Sequence, residues 1–199
     1  MNAQIKTVFF DVGGVLLTNA WDHAQRRQAV ERFALDAADF DAAHARLGPE
    51  MECGTLSLHD YLGQAVFDRP RPFTPAEFIA FMKSRSEPFD DSLELLPQIH
   101  ARLAALNNEG VALNEYRIAR FGLARHIHAF CSSCYLGARK PDPEIYRRAM
   151  GIMQALPSQS LFVDDRSENL EPARELGMDC VLFTSAEQLR QELLARHLL

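Results

Sequence analysis

The sequence is short of several things, and each shortage closes off a class of protein. No apolar stretch in its 199 residues approaches the ~18 needed to cross a bilayer, so no membrane span is expected. Nothing ahead of Thr7 has the basic start, apolar stretch and small-residue cleavage site of an export signal, and a cytoplasmic setting is expected. Positive charge is not in excess: 21 Lys and Arg face 27 Asp and Glu, a net −6. Nucleic acids select basic faces, so no nucleic-acid partner is expected either. A small anionic substrate stays open, because one bound cation reverses a local field. Four cysteines are too few for a disulfide scaffold in a chain of this length. Repeats and low-complexity tracts are missing, and 47% hydrophobic residues argue against wholesale disorder.

What is present alternates strand-like and helix-like patterns. Strands are expected at Thr7–Phe10, weakly around Leu103–Leu106, and at Phe130–Tyr135, Leu161–Val163 and Val181–Phe183. Three of these are continuously apolar, as in parallel strands covered on both faces. Asp142-Pro143 opens a helix with Ile145, Ala149 and Met153 on one face, and Glu168–Leu176 reads as another, stopped by Gly177. Thr184-Ser-Ala-Glu187 has the form of a capping box for a last helix that turns Leu189 and Leu193 inward. Such alternation implies an α/β fold with a doubly wound parallel sheet, a Rossmann-like core. From Thr18 to about Ser86 the pattern is helical only, with starts at Ser57 and Thr74 and breaks at Gly48-Pro49 and Arg69–Pro72. The division expected is a core of 1–17 and 87–199 with a helical cap of about four helices, 18–86, inserted after the first strand.

Ligands of open parallel sheets bind beyond the carboxyl ends of the strands. The first strand ends in Asp11, the second in Asn107-Asn108 and the fourth in Asp164-Asp165, while Lys140 lies in the loop after the third. Any one carboxylate there can be a helix cap. Three of them in one crevice repel each other unless a cation is present, and an all-oxygen ligand set suits Mg²⁺. Phosphoryl transfer needs an in-line nucleophile and positive charge around the phosphoryl oxygens. Asp11 can be that nucleophile, with Lys140 and Mg²⁺ holding the charge and Asn107 donating a neutral hydrogen bond.

The order of these residues resembles the haloacid dehalogenase-like hydrolases. Phe9-Phe10-Asp11-Val-Gly-Gly-Val-Leu looks like the first family motif, Leu106-Asn107-Asn108 stands at the second, Gly137-Ala-Arg-Lys140-Pro-Asp-Pro is similar to the third, and Leu161-Phe-Val-Asp164-Asp165-Arg-Ser-Glu-Asn169 to the acidic fourth. The helical insertion falls where one subgroup carries a small four-helix cap, and the likeness extends to the α-glucose-1-phosphatase type and to the phosphatase domain of soluble epoxide hydrolases. The resemblance implies a Mg²⁺-dependent phosphatase acting on a small phosphorylated metabolite through an aspartyl-phosphate. It also implies metal ligation by the Asp11 carboxylate, the Gly13 carbonyl and the Asp165 carboxylate, with Asp164 placing Lys140 and metal-bound water.

Two residues after the nucleophile the family usually carries an aspartate, the acid that protonates the leaving oxygen; here it is Gly13. A backbone carbonyl survives that exchange and an acid does not. An anomeric hydroxyl needs less help in leaving than an ordinary alcohol, so a sugar 1-phosphate is the first substrate expected. The alternatives are a catalytically silent relative that binds or regulates, and a C–halogen hydrolase, against which the doubled acid Asp164-Asp165 argues. Trp21 is expected either to line the substrate pocket or to pack in the cap. Cys131 and Cys134 have metal-pair spacing but read better as buried thiols in a strand. His126 and His128 read as loop positions, and Arg117 and Arg120 as a solvated helix face.

Overall fold

Residues 4–199 are described by the computed structural model. Strand β1 (Thr7–Phe10) is followed by four helices, α1 (His23–Phe33), α2 (Ala37–Glu52), α3 (Leu58–Ala65) and α4 (Pro75–Lys83). After α5 (Asp90–Leu93) come β2 (Arg102–Ala105), α6 (Val111–Arg120), β3 (Ala129–Phe130), α7 (Ser133–Leu136), α8 (Pro143–Met153), β4 (Ser160–Asp164), α9 (Ser167–Glu175), β5 (Asp179–Leu182) and α10 (Ala186–Ala195). The strands form one all-parallel sheet in the order β3-β2-β1-β4-β5. Parallel neighbours require crossovers, and these place helices on both faces. Alternate residues of β1 therefore enter two cores: Val8 and Phe10 pack with Leu189 and Leu193 of α10, while Phe9 packs with Ile145, Ala149 and Met153 of α8.

The four helices after β1 enclose a third core, in which Trp21, Phe40, Tyr61, Phe78 and Met82 are buried and Leu113 of α6 joins from the sheet side. Their starts follow elementary capping chemistry. Thr74 accepts from the Glu77 amide while the Glu77 carboxylate accepts from the Thr74 amide, a complete capping box with Pro75 at the first helical position. Ser57 caps α3 by accepting from the Asp60 amide. The two strands of chain that enter and leave this unit are stitched together. The Thr18 amide donates to the Glu87 carbonyl at 2.9 Å, the Glu87 amide donates back to Thr18 Oγ1 at 2.9 Å, and Leu17 bridges Pro88.

Four local expectations are corrected. Gly48-Pro49 does not break the chain but lies within α2, where the Pro49 carbonyl still receives the Cys53 amide. Gly48 answers to packing, because a Cβ there would stand 2.8 Å from the His44 ring. The third strand is Ala129–Phe130 and not Phe130–Tyr135: after Cys131 pairs with Ala105 the chain leaves the sheet edge, and Cys134 belongs to α7. Both thiols are buried, as expected of small apolar groups. The last helix is capped one residue later than its sequence suggests, by Ser185 accepting from the Gln188 amide. Arg117 is not solvated; it is 3% exposed, whereas Arg120 is exposed.

Candidate active site

The carboxyl ends of β1, β2 and β4 open onto one cavity of about 280 Å³, walled on its other side by Ala20, Trp21, Asp22 and Arg26 from the entry to the helical unit. Asp11 follows β1 directly. Its Oδ1 accepts from the Val12 amide at 2.7 Å and its Oδ2 lies 3.0 Å from Lys140 Nζ. The same lysine reaches Asp164 Oδ2 at 2.6 Å, and its side chain is 1% exposed. Asp164 ends β4, fully buried, and accepts from the Arg166 amide and from Asn169 Nδ2 at both oxygens. Lys140 is positioned by Asn108, which accepts from its amide at 2.8 Å and donates to its carbonyl at 2.9 Å. A turn residue is thereby clamped at both of its peptide groups, so its long side chain starts from a fixed point.

The electrostatics ask for a cation. Burial pushes Asp11 up to about 7, opposed by Lys140 and reinforced by Asp164 and Asp165. Asp165 is also raised, first by burial and then by Asp164. Burial pulls Lys140 down, yet the two carboxylates it serves outweigh this and hold it above the ordinary lysine value. One lysine cannot balance three acids. Asp11, Asp164 and Asp165 each offer an oxygen within 4.8 Å of the others. Asp165 Oδ1 is buried without a partner among the described residues, a costly state that a bound cation relieves. Gly14, at φ +78°, leaves the room this carboxylate needs, since a Cβ there would stand 2.2 Å from Asp165 Oδ2. The donors are all hard oxygens with no thiol or imidazole among them, which fits Mg²⁺.

Several residues that sequence reasoning passed over also line the cavity. Glu109 is 5% exposed and pairs with Arg117 at 3.0 Å; Arg117 also donates to the Thr18 carbonyl at 2.7 Å. Burial raises the Glu109 carboxyl, against the pull of Arg117. Arg166 pairs with Asp22 at 2.6 Å and Arg139 with Glu52. Arg139 and Arg166 lie inside motifs already quoted and Glu109 directly follows one, so the rule of looking beyond strand ends extends to them. Arg26, Glu52 and Asn19 come from outside those loops, and no spacing in the sequence announces them. Trp21 does both things expected of it as alternatives: it lines the cavity, and it packs edge-on against Phe40 and Phe78 while donating to Tyr61 Oη at 3.2 Å. Asn107 does not line the cavity. Its Nδ2 donates to Asn114 and its Oδ1 accepts from Ser132.

Comparison with known proteins supplies the family. The family described as haloacid dehalogenase-like hydrolase matches residues 5–177, and the chain belongs to that family. It is 29% identical over 202 residues to D-ribitol-5-phosphate phosphatase of Bacteroides thetaiotaomicron, covering 96% of this chain and 97% of that one. It is 35% identical over 71 residues to bifunctional epoxide hydrolase 2 of Rattus norvegicus; that match takes in 36% of this chain and spans only 13% of the relative. A family enzyme of Bacteroides thetaiotaomicron, solved in complex with magnesium and inorganic phosphate, superposes with a TM-score of 0.77 at 18% identity, over 91% of this chain and 95% of that one. This likeness concerns the fold.

Proposed function

We propose that the protein is a Mg²⁺-dependent phosphomonoesterase acting on a small polyhydroxylated phosphate ester. The observation that carries the reading is the cluster of Asp11, Asp164, Asp165 and Lys140, of which Asp11 and Lys140 line the cavity. Asp11 and Asp165 would hold the metal together with the Gly13 carbonyl, and the bound ion would supply positive charge for the phosphoryl oxygens. Asp11 Oδ is the nucleophile: it bonds to phosphorus as the bond to the leaving oxygen breaks, giving an aspartyl-phosphate that water then opens. Lys140 contributes its charge to the phosphoryl group and is held for that task by Asp164 and Asn108. Asn107, buried and turned to Asn114 and Ser132 outside the cavity, is left without the phosphoryl contact expected of it.

Gly13 supplies no acid, which favours substrates whose leaving group departs readily, sugar 1-phosphates first. A phosphate on a primary alcohol is the second reading, favoured by the D-ribitol-5-phosphate phosphatase that aligns with 96% of the chain. No described helix is long and apolar enough to cross a membrane, and a cytoplasmic setting suits four unpaired thiols. The test is phosphate release from p-nitrophenyl phosphate and from a panel of sugar and polyol phosphates, with Mg²⁺ and with chelator. Hydrolysis that needs Mg²⁺ is expected. No hydrolysis of any ester in the panel would overturn the reading, and halide release from a haloacid would point to the C–halogen alternative.

A further inference from the structure

The cavity beside Asp11 contains a carboxamide that the chemistry so far leaves idle. Most polar groups around it are committed: Lys140 to Asp11 and Asp164, Arg117 to Glu109 and Thr18, Arg166 to Asp22, Arg139 to Glu52, Asn108 to the Lys140 backbone and Asn169 to Asp164. Asn19 lines the same cavity, and its carboxamide has no protein partner among the described residues. It reaches the space above the nucleophile loop, where a Cβ built on Gly13 would stand 2.7 Å from Asn19 Oδ1. Gly13 is thus neither left-handed nor fronted by empty space; Asn19 fills the place its side chain would take.

In-line displacement puts the departing oxygen on the side of phosphorus away from Asp11. The core side of the cavity holds Asp11 and Lys140, so the leaving group faces the linker that carries Asn19, Ala20 and Trp21. We infer that Asn19 is a catalytic residue whose Nδ2–H hydrogen-bonds the departing ester oxygen, in a site where Gly13 provides no acid. A half-turn of the amide presents nitrogen in place of oxygen, the two ends being nearly equal in shape. The carboxamide keeps its proton. The phosphorus–oxygen bond breaks with its electron pair going to the leaving oxygen, the bond from Asp11 to phosphorus forms, and the leaving oxygen takes its proton from water. Such a donor matters most where charge on the leaving oxygen is greatest, which flattens the dependence of rate on leaving-group acidity.

This inference rests on the phosphomonoesterase reading, and the experiment separates the two. The Mg²⁺-loaded enzyme is assayed on aryl phosphates of graded leaving-group acidity and on an alkyl phosphate, as wild type, Asn19→Ala, the isosteric Asn19→Leu and Asn19→Asp. Loss of the donor is expected to lower kcat/KM by roughly 10²-fold for the poorest leaving groups, the scale of a single lost oxyanion donor, with little change for p-nitrophenyl phosphate. The plot of rate against leaving-group pKa then steepens in both donor-free variants. Asn19→Asp is expected to restore poor leaving groups at low pH only, as its carboxyl becomes protonated. An equal loss across the series in both Asn19→Ala and Asn19→Leu, or no loss, overturns the inference while leaving the phosphomonoesterase intact. A wild type inactive on the whole series overturns both.

Discussion

Arg117 gives the sharpest test of how the cavity is held together. Its guanidinium binds the Glu109 carboxylate at 3.0 Å with both side chains almost wholly buried, and a second nitrogen holds the Thr18 carbonyl at 2.7 Å, where the chain enters the helical unit. Arg117→Met keeps the bulk and removes the charge. Breaking a buried pair from one side leaves an uncompensated charge and costs about 3–5 kcal/mol, a large part of the roughly 5–15 kcal/mol that holds an ordinary domain together. For a chain of this size that is a fall in Tm of roughly 6–20 °C. The double variant Arg117→Met/Glu109→Gln removes the stranded carboxylate and should keep only the loss from the unsatisfied Thr18 carbonyl, about 1–3 kcal/mol.

The deficit of the single variant also has a definite pH dependence. Burial already raises the Glu109 carboxyl, and losing Arg117 raises it further. Between the unfolded carboxyl value of about 4.3 and the raised folded value, the native state binds the extra proton, so stability falls as pH rises. The penalty is therefore smallest below about pH 4.3 and grows as pH rises through the folded pKa. Urea unfolding of the wild type, single and double variants at pH 4.5 and pH 8 reads both effects. A double variant no more stable than the single at pH 8, or a single-variant deficit equal at the two pH values, would refute the argument.

Asp11→Asn should abolish turnover while leaving the unfolding transition within about 1 kcal/mol of wild type or better, since it removes one of three crowded acids; a tenth of wild-type activity in a folded, undeamidated sample rules out covalent catalysis at Asp11. Chelation should stop activity and Mg²⁺ restore it, while Ca²⁺ should restore it poorly because its longer, looser coordination misplaces the nucleophile; full activity in excess chelator, measured by phosphate release, would contradict the metal assignment. Gly13→Asp should fold, because φ at Gly13 is not left-handed, but its Cβ displaces the end of Asn19. The expected result is a rise of less than tenfold in the alkyl-to-p-nitrophenyl rate ratio, well under the roughly 10²–10⁴-fold of a fully adapted general acid. An unchanged ratio in a folded, Mg²⁺-binding variant counts against the leaving-group role of position 13.

Much of this arrangement is legible in the sequence because parallel strands are buried on both faces and end where ligands bind. Asp11, Asp164 and Asp165 end or directly follow strands, so strand recognition locates them, whereas Lys140 lies beyond α7 and is marked by its Gly137–Pro143 motif. The third strand was less legible: Phe130–Tyr135 is apolar enough for six residues of strand, but it lies at the sheet edge, and Ser132 draws the chain away to Asn107 and Asn114. Gly48-Pro49 misleads for a similar reason, because packing on His44 and not local propensity sets that glycine. Arg117 lies on a helix whose polar spacing reads as solvent-facing. Only the approach of Glu109 and Thr18, from two other parts of the chain, makes its burial possible.

The position of β1 bears on how the chain is made as well as on what it does. Its four residues, TVFF, form the middle strand, with Thr7 beside Arg102 on one flank and Ser160 on the other. During synthesis the strand emerges well before either partner, with the whole four-helix unit between it and β2. Val8, Phe9 and Phe10 thus spend most of translation without their neighbours, and closing the sheet requires contacts between distant parts of the chain, which are slow to form. The helical unit has its own apolar core and folds from near neighbours, so it is placed to form first and draw Leu17 toward Pro88. The same four helices would thereby serve the nascent chain, by shortening the loop that delivers β2 to β1.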